Sequence, residues 1–196
     1  MPKVVDHEER RRLVAEAVWR IARTDGLEAA SVRNVAAEAG LSPGAMRHYF
    51  DGQADLQRSA METLLARVQE RVAALDTEGP PVEATARILL ELLPLDDERQ
   101  AEAEIWFAFT AGARRDPGLR ALADGAADEM RAFVAGIVGV LLGPDAPADA
   151  VETETARLHA LVDGLALHAV QRPGAVPPAR MRAAVERHLA ELAGRA

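Results

Sequence analysis

The sequence predicts an all-α protein of about nine helices. Apolar residues recur at three- and four-residue spacing along nearly the whole chain, and no stretch shows the strict alternation of a half-buried strand. Prolines and glycines punctuate the periodic stretches, as at Pro43, Gly79-Pro80-Pro81, Pro94, Pro117, Gly143-Pro144, Pro173-Gly174 and Pro178.

Each helix has its own signal. Val14, Ala17, Val18, Ile21 and Ala22 form the first apolar stripe, and Gly26 after Asp25 suits a left-handed helix stop. Ser31 is an N-cap for a second helix through Val35, Ala36 and Ala39, which Gly40 ends. Ser42-Pro43 starts a third, with a capping hydroxyl and a proline at the first helical position. A fourth begins near Gly52 and carries Leu56, Ala60, Leu64, Val68, Val72 and Leu75. A fifth carries Val82, Ala86, Leu89, Leu90 and Leu93 and stops at Pro94. A sixth covers about 97–114 and holds Trp106, Phe107 and Phe109, three of the chain's seven aromatics. Asp116-Pro117 opens a seventh that runs to Gly143, an eighth covers about 148–170, and a ninth starts at Pro178 with Met181, Val185, Leu189 and Leu192.

Composition narrows the function. With 196 residues the chain suits one mid-sized domain or a small domain fused to a larger one. It has no cysteine, which excludes disulfides, thiolate metal sites and cysteine nucleophiles. Residues 80–196 contain no serine and no phosphate-binding loop, and no acid/base constellation stands out, so the reading is not an enzyme. No cofactor or metal is implied: His159 and Asp163 share one helical face, but no third ligand follows at matching spacing. The N-terminus lacks an apolar signal core and no apolar run approaches the ~20 residues of a membrane span, which predicts a cytoplasmic protein with no membrane partner. The net charge of -8 is unevenly placed. Residues 1–50 hold 8 basic and 7 acidic residues, so the acidic excess lies beyond them. Only the first segment can face phosphate without strong repulsion.

Helices two and three are separated only by Gly40-Leu41-Ser42, the spacing of a helix-turn-helix. The second helix of such a motif shows one face to the core and another to the DNA major groove. Met46 and Phe50, four apart, share the inward face; Gly44, Ala45 and His48 lie opposite, with Arg47 and Tyr49 on the flanks. Gly44 and Ala45 permit close backbone approach, and Arg47 can fork onto guanine or phosphate. His48, Tyr49, Ser31 and Ser42 can donate to phosphate, the two serines beside helix N-termini that already favour anions. Arg10, Arg11 and Arg12, set among Glu8 and Glu9, read either as a minor-groove arm or as a solvated helix start.

The run SVRNVAAEAGLSPGAMRHYF from Ser31 to Phe50 resembles the DNA-binding signature of the TetR family. VAEAVWRIARTDGLEAAS resembles the helix before it and DGQADL the start of the helix after it, so the likeness covers about 10–57 without gaps. It implies DNA contacts from Arg33 on the second helix and from Ser42, Pro43, Gly44, Ala45, Arg47, His48 and Tyr49. Three positions depart from the pattern: Arg47 replaces an aromatic, Gln53 replaces a lysine at the start of the fourth helix, and Ala22 replaces a phenylalanine whose volume Trp19 can fill.

The stretches LLPLDDERQAEAEIWFAFTAGARRDP and LHALVDGLALHAVQRPGAVPPARMRAAVERHLAEL are similar to the C-terminal region of TetR-family members of the BetI type. This resemblance implies that the last two helices pair with their symmetry mates. Leu161, Gly164, Leu165, Val185 and Leu189 are the expected interface. A two-fold dimer would read a pseudo-palindromic operator in double-stranded DNA. A small-molecule effector is expected among Leu65, Leu89, Trp106, Phe109, Thr110, His159 and Asp163; the BetI likeness suggests a cation in an aromatic cage.

The sequence thus predicts an N-terminal three-helix helix-turn-helix domain over 1–52 and a helical ligand-binding and dimerisation domain over 53–196. The function expected is a repressor released from its operator by a small ligand. The alternative is a regulator without a small ligand, controlled by a protein partner or by abundance. A helical enzyme or adaptor with an incidental helix-turn-helix would instead show no salt-dependent duplex binding.

Overall fold

The computed structural model describes residues 7–46 and 48–194. Among them there are nine α-helices and no strand: α1 His7–Asp25, α2 Val32–Glu38, α3 Pro43–Met46, α4 Gln53–Ala73, α5 Pro81–Leu90, α6 Asp97–Ala113, α7 Pro117–Leu142, α8 Ala148–Gln171 and α9 Pro178–Ala193. One short 3-10 turn, Leu27–Ala29, follows α1. No helix among the described residues is long and apolar enough to cross a membrane.

The chain divides into two compact units that do not follow linear order. One takes Met1–Arg67 with Glu104–Ala123, the other Val68–Ala103 with Asp124–Ala196. The sequence predicts a division at 52/53, just before α4 begins. Helices α4, α6 and α7 each give one part to each unit.

In the first unit α1 packs on α2, and α2 on α3. The α1 stripe of Val14, Ala17, Val18, Ile21 and Ala22 is buried. Trp19 is also buried. In the second unit α9 packs against α5 and α8. Met181, Val185, Leu189 and Leu192 of α9, with Leu89 of α5 and Leu158 of α8, are fully enclosed.

Local chemistry sets the helix ends. The Ser31 Oγ accepts the Asn34 N–H at 3.2 Å and opens α2. The Ser42 Oγ accepts the Ala45 N–H at 3.1 Å and opens α3. Asp96 Oδ1 accepts the Arg99 N–H at 2.9 Å before α6, and Asp116 Oδ1 accepts from Gly118 and Leu119 before α7. Such caps satisfy amides that the first helical turn leaves unpaired. At the other end of α2, Gly40 has φ 66°, the left-handed region. Its N–H donates to Ala37 O at 3.2 Å, and the Leu41 N–H donates to Ala36 O at 2.8 Å. That double return is a Schellman stop, and it aims the chain into α3.

Candidate nucleic-acid interface

The interface is built on the α2-turn-α3 segment of the first unit. Met46 and Phe50 are 0% and 2% exposed, so both point into the core as the four-residue spacing requires. Helix α3 is described over Pro43–Met46, and beyond it the His48 N–H bonds to Ala45 O and the Tyr49 N–H to Met46 O. These three-residue returns tighten the coil while the Phe50 N–H still reaches Met46 O at 2.9 Å, and Phe50 stays inward.

Opposite that core, Arg33, Ser42, Gly44 and His48 are exposed; Ser31, Ala45, Tyr49 and Gln53 are half-buried. Ala45, expected outward, is half-buried. Arg47 and the Pro43 side chain lie outside the described residues. Gly44 sits on an open surface: a Cβ built there would meet only the Ser42 Oγ, at 3.8 Å. Each capping serine uses an oxygen lone pair as acceptor, which leaves its O–H to donate outward. The surface thus offers hydroxyl donors, a histidine, an arginine and two helix starts within one short segment, a set suited to phosphate and base edges.

Two features behind this surface had no local signal. Arg67 of α4 donates to both oxygens of Glu16 on α1, at 2.9 and 3.2 Å, and its guanidinium lies 4.8 Å from the centre of the Trp19 ring. Nearer the α1 start, the Arg11 guanidinium lies 5.5 Å from the Phe50 ring centre. The first pair is 51 residues apart, beyond any periodicity argument.

The second unit holds a charged cluster with no local signal in the sequence. Arg71 of α4 donates at 2.7 Å to Glu102 of α6, which is 5% exposed; a second bond joins the same two groups. Arg71 also reaches Glu91 at 3.2 Å, and Glu91 accepts from Arg99 at 2.9 Å. The Glu102 bond raises the Arg71 guanidinium above its ordinary value, against a partial desolvation that lowers it. At Asp96, partial desolvation works upward, but the Arg99 N–H and guanidinium hold the carboxyl below its usual range.

The expected interface and ligand residues fare differently. Val185 and Leu189 are 0% exposed within the single chain, so they offer nothing to a second copy. They are enclosed inside their own unit, where α9 packs on α5 and α8. Leu161, Gly164 and Leu165 on α8 keep part of their surface open. Of the ligand candidates, Leu65, Trp106, Phe109 and Thr110 belong to the first unit and Leu89, His159 and Asp163 to the second. Phe109 and Leu89 are buried; Leu65 and Trp106 are half-buried. The Thr110 hydroxyl lies against the carbonyls of Trp106 and Phe107 on its own helix, at 3.0 and 3.2 Å. His159 Nε2 stands 3.5 Å from Asp163 Oδ2, and desolvation raises the Asp163 carboxyl although His159 pulls it down. Among the described residues no third His, Asp or Glu joins them as a metal site.

Comparison with known proteins agrees with this anatomy. Residues 15–60 match the family model of bacterial regulatory proteins of the tetR family, and residues 81–194 match that of the BetI-type transcriptional repressor C-terminal region. The chain is 43% identical to the HTH-type transcriptional regulator PksA of Bacillus subtilis (strain 168), over 96% of this chain and 92% of that protein. The crystal structure of a transcriptional regulator from Rhodococcus sp. Rha1 superposes with a TM-score of 0.81 at 31% identity, covering 93% of this chain and 95% of that one. The multidrug binding protein EbrR complexed with ethidium superposes with a TM-score of 0.67 at 26% identity, covering 91% and 98%. The matched families and the PksA relative are transcriptional regulators, not enzymes.

Proposed function

Because the chain belongs to the TetR family of helix-turn-helix transcriptional regulators, we propose that it is a homodimeric repressor released from a pseudo-palindromic operator by a small molecule. The observation that carries this is the Ser31–Gln53 surface. A glycine-turned, serine-capped pair of short helices holds Met46 and Phe50 inward and leaves Arg33, Ser42, Gly44 and His48 outward.

In this reading Ser31, Arg33, Ser42, Tyr49 and Gln53 grip the backbone. Pro43, Gly44, Ala45, Arg47 and His48 approach the base edges. A second copy docks through α8, where Gly164 gives a partner backbone room between Leu161 and Leu165. A Cβ at Gly164 would meet nothing within 4 Å inside the chain, so any crowding there comes from a partner. The candidate effector contacts are Leu65, Trp106, Phe109 and Thr110 in the first unit and Leu89, His159 and Asp163 in the second. EbrR, seen with ethidium, supports a ligand of this kind. Helix α4 opens at Gln53 beside the DNA surface and runs unbroken to Ala73. A ligand that favours one setting of α4 over another changes operator affinity by the difference in its own affinity for the two settings.

Selection of bound DNA from a random pool tests the whole reading. The expected product is an inverted repeat whose half-sites lie about one helical turn, ~34 Å, apart. A non-repeating product, or no enrichment, overturns it. On that operator Arg47→Ala is expected to cost on the order of 1–3 kcal/mol.

A further inference from the structure

We infer that Arg11, on the first helix and outside the helix-turn-helix, is a phosphate-gripping residue held in place by the Phe50 ring. The inference rests on the DNA-binding reading above and enlarges its surface.

On α1, Arg11 lies seven residues before Val18 and eleven before Ala22, so all three share one helical face at 100° per residue. Val18 and Ala22 are buried in the core. Arg11 continues their stripe to the edge of the unit, where a core position would call for an apolar side chain. Its guanidinium lies over Phe50 while the residue stays exposed. The ring is 2% exposed, so the arginine covers apolar surface and keeps its head in water.

Phe50 closes the recognition segment, directly after His48 and Tyr49 and three residues before Gln53. A cation fixed on that ring stands beside the end of the DNA surface, where Gln53 contributes a hydrogen-bonding group without charge. Arg67 gives the internal comparison. It too lies over a ring of the same unit, but the Glu16 carboxylate neutralises it at 2.9 Å. Among the described residues no carboxylate pairs with Arg11, so its charge remains available to an anion. A guanidinium steadied by a ring loses less freedom on binding phosphate than a loose one.

The test uses the full-length protein and measures binding to a random-sequence duplex and to the selected operator between ~50 and ~200 mM KCl. Arg11→Met keeps an apolar cover on Phe50 and removes the charge; Arg11→Lys keeps the charge. For Arg11→Met the slope of log K against log salt should shallow by about 0.9 per protomer on both duplexes, with a melting temperature close to wild type. Arg11→Lys should restore most of the slope, and Arg23→Met, at the far end of α1, should leave it unchanged. A folded Arg11→Met protein with the wild-type slope overturns the inference and leaves Arg11 as a cover for Phe50. An Arg11→Lys protein as shallow as Arg11→Met overturns it as well. If the wild-type protein itself binds neither duplex, the DNA-binding reading fails first, an outcome distinct from both.

Discussion

The Ser31–Gln53 segment and the Arg71 cluster solve opposite problems. In the segment, polar groups sit at the surface and find support within three residues, as the Ser31 and Ser42 caps do. Around Arg71, charge is withdrawn from water and satisfied across 20 and 31 residues of sequence. A face meant for an external partner can be altered residue by residue while its helices stand. A buried ion cluster cannot lose a member without stranding another. One region should therefore show in binding and the other in folding.

The largest effect expected is at Arg71. Arg71→Met removes the partner of the enclosed Glu102 carboxylate. Breaking a buried pair costs about 3–5 kcal/mol, and the low end applies because the Arg71 side chain keeps 28% of its surface in solvent. Urea unfolding at fixed protomer concentration measures it. A loss under about 1 kcal/mol would place the cluster with ordinary surface ion pairs and erase the contrast.

Ser31 sharpens the comparison, because one hydroxyl serves both fold and proposed function. Ser31→Ala should cost about 1 kcal/mol of stability through the lost cap. Ser31→Asn should recover the cap. If the outward O–H also holds phosphate, Ser31→Asn will be stable and still weaker on the operator. Full recovery of both would leave Ser31 a purely structural residue.

Gly44 should split the two readouts cleanly. It is helical with no positive φ, and an added Cβ finds ordinary space. Gly44→Ala should thus raise stability by up to ~1 kcal/mol through helix propensity. The same methyl, set against the duplex, should weaken operator binding several-fold in a salt titration. Undiminished binding would mean that the backbone at Gly44 does not approach the DNA.

The smallest effect is at Asp96. Its carboxyl is held below the usual range, so its contribution is present at neutral pH and fades as pH falls through and below about 4. Asp96→Asn keeps an N-cap of equal quality and loses only the charge. With half of the Asp96 side chain in solvent, the difference at pH 7 should be on the order of a few tenths of a kcal/mol. It should close in acid; a difference that widens there would reverse the assigned sign.

Legibility followed the range of the interaction. Ser31, Gly40 and Ser42 act within a few residues of themselves, so the helix stops and starts around the DNA surface could be read directly from residue type. Met46 and Phe50 could be placed inward because four-residue spacing needs no knowledge of the partner. The Arg67–Glu16 pair could not, since its members stand 51 residues apart in the chain.

By itself the sequence determined the all-helical class, the helix-turn-helix, its inward pair and its outward candidates, because all of these rest on contacts between near neighbours along the chain. Only the tertiary structure decided that Val185 and Leu189 are enclosed within their own unit, that Arg67 answers Glu16 and Arg71 answers Glu102, and that Arg11 rests on Phe50. A stripe on a helix states that something will cover it. Which surface does so is fixed by the packing of residues far apart in the chain, and no local period encodes that choice.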